Sequence, residues 1–170
     1  MPTIQHTLVL CPKPEARLAV LRQFLKGVKA ATVVFFDAKR LSLLPKIASA
    51  LKQDDLRVDV LNEADDLESR SSAFEAFVSG ETDVLLTTDL AARGLDAPRT
   101  SLVVNFDVPR TATDYLHRAG RTARLGRNGA VLTICEENER FVVERFGNKL
   151  GVGIEEVEAG SEAYARLAGE

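Results

Sequence analysis

The sequence is poor in cysteine and has no long apolar run. Cys11 and Cys135 are its only cysteines, and each lies in or at the end of an apolar stretch, where a thiol is usually buried and reduced. This argues against a disulfide framework and predicts no metal centre. No stretch approaches the roughly 18 apolar residues of a membrane span, and the N-terminus lacks the charged-then-apolar pattern of a signal peptide. We therefore expect an intracellular protein with no membrane partner.

An excess of charge of either sign is also lacking. The formal net charge is -3, with 45% hydrophobic and 28% charged residues, which is ordinary for a soluble globular domain. Such a balance argues against a generally basic nucleic-acid binder. Any contact with nucleic acid must therefore come from a local patch of the surface.

Short β-branched runs alternate with longer segments of helical period. This alternation predicts a three-layer α/β domain with a mostly parallel central sheet flanked by helices. The predicted strands cover residues 5–10, 32–36, 57–61, 83–87, 101–105, 130–135 and 153–157. The predicted helices cover residues 14–26, 39–52, 66–79, 111–124 and 137–149. Without a repeat, low-complexity tract or linker, residues 1–170 are expected to form one domain.

Three arginines recur at a spacing of three residues in the segment 115–127. If this stretch is helical, the guanidinium groups of Arg118, Arg121 and Arg124 line one face. Arginine keeps its charge and offers a planar set of donors that fits phosphate oxygens. The pattern therefore favours a polyphosphate-binding face, with a solvated basic helix end as the alternative.

Residues 87–98 follow the apolar run 84–86, where a buried parallel strand delivers its carboxyl end. Ligands bind at that edge of open α/β sheets. A carboxylate there, Asp96, could bind a ribose hydroxyl or bond its own backbone in the turn before Pro98. Arg93 could face a cleft or form a salt bridge within the domain, and Gly94 permits close approach of a backbone.

Together these two segments resemble motifs V and VI of the DEAD-box RNA helicases. Motif V is matched by Thr88-Asp89 and residues 92–96, and motif VI by residues 117–124. Residues 4–10, 33–37 and 103–109 are similar to the first strand, motif IV and the strand before motif VI of the same C-terminal RecA-like half. His117 agrees with this type, since related DEAH helicases carry glutamine there.

The resemblance implies an ATP site shared between two RecA-like halves. Arg121 and Arg124 would reach the β- and γ-phosphates as arginine fingers, and Asp96 would contact the ribose. His117 and Arg118 would couple motif VI to the N-terminal half, although a single histidine is more often a satisfied, half-buried one.

RNA would be bound through its backbone and without reading of its sequence. The resemblance gives this contact to four residues: Thr88, Arg93, Gly94 and Arg70.

The phosphate loop and the magnesium site of such an enzyme are not found in this sequence. It has neither Gly-x-x-x-x-Gly-Lys-Ser/Thr nor Asp-Glu-Ala-Asp, and ATP hydrolysis requires both parts. We expect an N-terminal RecA-like domain to supply them and to hold Mg²⁺. The isolated chain is then expected to be a monomer without ATPase activity.

One segment departs from the family. Where His-Gly-Asp and Gln-x-x-Arg are usual, this chain has Asn62-Glu63-Ala64 and Leu67-Glu68-Ser69-Arg70, so only Arg70 is kept. Glu63 replaces a glycine that lies close to the RNA backbone, and its charge would repel phosphate if it pointed that way. Ala119 and Ala123 stand where Ile and Gly are frequent, and as small helix formers they are expected to leave the arginine face intact.

The sequence thus predicts the C-terminal half of an ATP-dependent DEAD-box RNA helicase. A non-catalytic RNA- or protein-binding module derived from a helicase is the alternative, because the altered segment 62–70 could report lost unwinding. A third interpretation is a domain that dimerises or docks a regulatory partner, which would show an exposed apolar patch.

Overall fold

The structure, a computed structural model, describes residues 3–28, 30–124 and 126–167. The strands are β1 Ile4–Leu10, β2 Thr32–Phe35, β3 Val58–Leu61, β4 Val84–Thr87, β5 Leu102–Asn105, β6 Gly129–Cys135 and β7 Ile154–Val157. The α-helices are α1 Arg17–Leu25, α2 Leu44–Gln53, α3 Leu67–Ser79, α4 Asp89–Ala92, α5 Ala112–Ala119, α6 Arg140–Leu150 and α7 Glu162–Leu167. Short 3-10 turns lead into α1, α2 and α6 at Pro14–Ala16, Ala38–Leu43 and Glu137–Glu139.

The strands form one sheet in the order β3-β4-β2-β5-β6-β1-β7. Every pairing is parallel, as βα units with crossover helices require. The predicted three-layer α/β fold is therefore confirmed, and each predicted strand lies within one residue of an observed one. The prediction missed α4 and α7, which are only 4 and 6 residues long.

Both faces of the sheet are covered, so its central strands are apolar on both sides. Val34, Leu86 and Val104 face the layer formed by α1, α2 and α7. Their chain neighbours face the layer formed by α3, α4, α5 and α6, as Val33 and Leu85 show. The alternation of side chains along each strand thus divides the core into two layers around the sheet.

The end of α5 differs from the prediction. The helix stops at Ala119 and not at residue 124. The chain then tightens, because Arg121 N and Thr122 N bond the carbonyls three residues earlier. The Thr122 hydroxyl donates to the Thr100 carbonyl at 3.1 Å, and Ala123 adopts a left-handed φ of 58°. Ala123 is therefore not a helical residue, and the predicted single helical face of three arginines is wrong.

The two thiols are buried, as predicted, and lie at the ends of neighbouring strands. Cys11 N donates to the Cys135 carbonyl at 2.8 Å, yet the two side chains pack in different core clusters. In the described part of the chain, no helix is long and apolar enough to cross a membrane.

Candidate functional site

The matched motifs meet at the carboxyl edge of the sheet. Thr87, Phe35 and Asn105 end β4, β2 and β5 and lie in register across three neighbouring strands. The loop 88–101 leaves β4 here, and α5 with the turn 120–124 packs beside it. This is the edge where parallel α/β sheets bind ligands.

Thr88 starts the loop as the N-cap of α4. Its hydroxyl accepts a hydrogen bond from Ala91 N at 3.3 Å, and the side chain is buried. The same hydroxyl donates to the Glu63 carboxylate, whose two oxygens lie 2.8 and 3.0 Å away. Glu63 therefore does point toward the residue for which RNA contact was predicted.

Arg118 is used inside the domain. Its side chain is 3% exposed, and its guanidinium donates two bonds of 2.8 Å to the Asp89 carboxylate. Further bonds reach Asn105 Oδ1 at 3.3 Å and the Asp107 carbonyl at 2.9 Å. The guanidinium carbon lies 5.2 Å from the centre of the Phe35 ring. The predicted face shared by Arg118, Arg121 and Arg124 is therefore wrong for Arg118, because this side chain ties α5 to α4 and β5.

Arg121 and Arg124 lie in the turn after α5 and face the loop that follows α4. Arg121 Nη1 donates to the Leu95 carbonyl at 2.5 Å. Arg124 Nη1 lies 3.3 Å from Asp96 Oδ1, in a pair whose side chains are 45% and 57% exposed. Asp96 is thus paired with an arginine, and both side chains remain accessible to a ligand.

The other predicted residues take three different settings. Arg93 and His117 are exposed, and Gly94 has a left-handed φ of 77°, with no atom of the described residues, its chain neighbours aside, within 4 Å of the place where a Cβ would lie. Arg70 lies on α3, half-buried, and its Nε has no hydrogen-bond partner among the described residues. Besides the buried Arg118, seven predicted residues therefore lie on the loop, on α5 or on the turn after it: Thr88, Arg93, Gly94, Asp96, His117, Arg121 and Arg124.

A small polar pocket of about 70 Å³ opens between α4 and α5. Its charged lining consists of Arg93, Arg118, Arg121, Asp89 and Asp114, with His117 at the side. Three guanidinium groups against two carboxylates give this pocket a positive balance. Its chemistry suits an anionic group such as a phosphate oxygen.

Sequence reasoning missed the groups that hold the arginines in place. Asp89 and the Leu95 carbonyl bind Arg118 and Arg121, and Asn105 joins Arg118 to Thr133, whose hydroxyl accepts from Asn105 Nδ2 at 3.0 Å. A polar Asn105 in an otherwise apolar strand was the available signal. A backbone carbonyl leaves no such signal in a sequence.

Residues 16–126 match the family model described as the helicase conserved C-terminal domain. The chain belongs to this helicase family. It is 41% identical over 143 residues to the ATP-dependent RNA helicase DRS1 of Candida albicans, a match that covers 83% of this chain and 23% of DRS1. This helicase domain therefore spans about a quarter of that relative.

Two solved structures have the same fold. The DEAD-box protein SrmB of E. coli, bound to the regulator RraA, superposes with a TM-score of 0.79 at 29% identity and covers 92% of both chains. Dbp5 of S. cerevisiae, bound to RNA and ADP BeF3, gives a TM-score of 0.83 at 24% identity over 96% of this chain and 44% of Dbp5. The helicase domain is thus a C-terminal RecA-like domain of the DEAD-box type.

Proposed function

We propose that this helicase domain supplies the arginine half of an ATPase site in an ATP-dependent RNA helicase. The observation that carries the proposal is the placement of Arg121 and Arg124 together on one turn, against the loop that carries Asp96. Two guanidinium groups beside an accessible carboxylate suit the two ends of a nucleoside triphosphate. The first two would meet phosphate oxygens, and the carboxylate would accept from a ribose hydroxyl.

Charge develops on the transferred phosphoryl group and on the leaving oxygen during ATP hydrolysis. Donors fixed in advance at these oxygens lower the barrier, because they need no rearrangement during the reaction. Arg121 is half-buried and bonded to a backbone carbonyl, so its direction is already restricted. Arg124 must leave Asp96 to reach phosphate, and this step frees the Asp96 carboxylate for the ribose.

The remaining parts of the ATP site would come from an N-terminal RecA-like domain. Within the described residues, no group of three or more His, Cys, Asp or Glu side chains is placed to hold a metal ion. We assign Mg²⁺ and the phosphate loop to that partner domain, because the sequence has neither Gly-x-x-x-x-Gly-Lys-Ser/Thr nor Asp-Glu-Ala-Asp. His117, exposed near the end of α5, would contact it, while the buried Arg118 would set the position of the helix.

RNA would bind along the loop after β4 through its phosphates. Thr88, Arg93 and Gly94 offer a hydroxyl, a guanidinium and a bare backbone, none of which distinguishes bases, and Arg70 would add a cation from α3. The Dbp5 structure of this fold holds RNA. Closure of the two halves on ATP would bend the bound strand and separate a short duplex.

The arginine assignment is tested in a two-domain protein that joins this chain to a DEAD-box N-terminal half. Arg121→Ala and Arg124→Ala should each lower kcat by about 10³-fold, the range known for arginine fingers. Asp96→Ala should act mainly on KM, since a ribose contact is equal in ground and transition states. Arg127→Ala, an exposed arginine on the same turn, serves as the matched control.

Wild-type kinetics in all three variants would refute the arginine assignment and favour a non-catalytic module. The isolated chain provides a second test. It should be a monomer without ATPase activity, because it carries only one half of the ATP site. Phosphate release by this chain that is lost on Arg121→Ala would contradict a shared site.

A further inference from the structure

The Thr88 hydroxyl has a single O–H, which it donates in a hydrogen bond to the Glu63 carboxylate. Both Glu63 carboxylate oxygens lie within 3.0 Å of Thr88 Oγ1, and Thr88 is 1% exposed. The other side of the hydroxyl is engaged by Ala91 N. A threonine hydroxyl has one O–H donor, so no second proton is left for another acceptor.

Glu63 is held in this place by its own turn. The Asn62 side chain accepts from Ala64 N at 2.7 Å, and its carbonyl accepts from Asp65 N at 3.1 Å. Such an Asx turn fixes the backbone on both sides of Glu63. Glu63 has a negative φ; among the described residues, the non-glycine residues with a positive φ are Asp55 and Ala123. The turn therefore presents the carboxylate without backbone strain.

An RNA phosphate at this hydroxyl would meet two obstacles. A phosphodiester oxygen only accepts hydrogen bonds, so it needs the Thr88 O–H that is already donated to Glu63. It would also bring a second negative charge next to the carboxylate, which is unfavourable even near a protein surface. Phosphate and Glu63 are therefore mutually exclusive partners of Thr88.

We propose that Glu63 occupies the RNA-phosphate position of this domain and thereby sets its RNA affinity. The inference rests on the proposed function, in which Thr88 contacts the RNA backbone. RNA binds only when the Glu63 side chain swings away, so each binding event includes the loss of the Glu63–Thr88 bond. The Glu63 carboxylate and an RNA phosphate thus compete for the Thr88 hydroxyl.

The proposal is tested with the 170-residue chain and a fluorescent single-stranded oligouridylate, by anisotropy over a range of salt. Glu63→Gln keeps the shape and removes the charge, so it should lower the Kd by about three- to tenfold, the factor expected for one like-charge contact. The plot of log K against the logarithm of the salt concentration should become steeper, by up to the amount that corresponds to about one additional phosphate contact. Glu68→Gln, an exposed carboxylate on α3, removes the same charge and should change the Kd less than twofold.

A double-mutant cycle separates displacement from general repulsion. In a Thr88→Val background, Glu63→Gln should give a smaller gain, because the shared proton is gone. Circular dichroism checks that Thr88→Val still folds. If it does not, the comparison of Glu63→Gln with Glu68→Gln decides alone. Equal effects of these two changes would overturn the proposal.

Arg93→Ala distinguishes failure of this inference from failure of the proposed RNA contact. If Arg93→Ala weakens RNA binding while Glu63→Gln leaves it unchanged, the RNA surface is retained and the inference about Glu63 is wrong. If neither substitution changes the affinity, the RNA role of the loop is wrong, and the inference falls with it.

Discussion

Two aspartates of the loop after β4 each face an arginine of the following motif, and their surroundings differ. Asp89 bonds the Arg118 guanidinium twice at 2.8 Å, and the Arg118 side chain is only 3% exposed. Asp96 pairs with Arg124 at 3.3 Å between side chains that are 57% and 45% exposed. Asp89→Asn and Asp96→Asn therefore make the same chemical change in a buried and in an exposed pair.

The expected magnitudes follow from this burial. Removing one partner of a fully buried ion pair costs about 3–5 kcal/mol, because the other charge stays buried without compensation. Asp89 is itself 41% exposed, so water screens part of the interaction. The Asn105 and Asp107 oxygens also remain bonded to Arg118. We therefore expect Asp89→Asn to lower the free energy of unfolding by about 2 kcal/mol, and Asp96→Asn by at most about 0.5 kcal/mol.

Urea unfolding of both variants, followed by far-UV circular dichroism, measures the difference directly. The corresponding shift in Tm for a domain of this size is about 4–8 °C for Asp89→Asn and at most about 2 °C for Asp96→Asn. Equal losses in the two variants would refute the reasoning from burial. A loss below about 0.5 kcal/mol for Asp89→Asn would show that Arg118 is satisfied without its carboxylate.

Three further predictions concern the backbone, the thiols and the pH dependence of stability. Ala123 has a left-handed φ of 58°, which glycine adopts without cost, so Ala123→Gly should stabilise the chain by about 1 kcal/mol. Gly126 has a φ of 76°, so Gly126→Ala should destabilise the chain by a similar amount. Urea unfolding measures both changes. Burial raises the pKa of Cys135 to about 12 and raises that of Cys11 as well, so neither thiol should react with a disulfide reagent in the native state, whereas both should react after unfolding. Rapid labelling of native protein would contradict this. Burial lowers the pKa of His6 below 6.5 in the folded state, so on acidification the unfolded state takes up this proton first. The free energy of unfolding should therefore fall as the pH drops from about 7 toward the pKa of His6 in the folded state. His6→Gln should remove that part of the slope, and an unchanged slope would assign it to other groups.

The strands were predictable because their signal is local. Central parallel strands are buried on both faces, so each reads as a short apolar run such as Val84–Thr87. The end of α5 was not predictable in this way. The run of small and basic residues after Ala119 suits a helix, and the chain leaves that path where Thr122 bonds the Thr100 carbonyl of a distant loop. A tertiary contact therefore decides the helix boundary there.

The same distinction holds for the site. The motif residues could be located from the sequence, because they follow parallel strands and the carboxyl ends of those strands lie at one edge of the sheet. Their partners could not. Glu63 and Thr88 are 25 positions apart, and Arg118 reaches Asp89 across 29. Packing decides which of several carboxylates binds a given cation or hydroxyl. Arg118 was therefore predicted to share a face with Arg121 and Arg124, and it lies in the interior.

The position of β1 in the sheet bears on how the chain is made. β1 begins at Ile4, yet it lies between β6 and β7, and Ile4 is paired with Gly129. On the ribosome, β1 emerges before β6 and β7, and both its edges stay open until those two strands have been translated. Contacts so far apart in sequence form late and slowly. Until then the apolar residues at the end of nascent β1, Leu8, Val9 and Leu10, lack the strands that flank them in the folded domain, and this makes them a site at which the unfinished chain can aggregate.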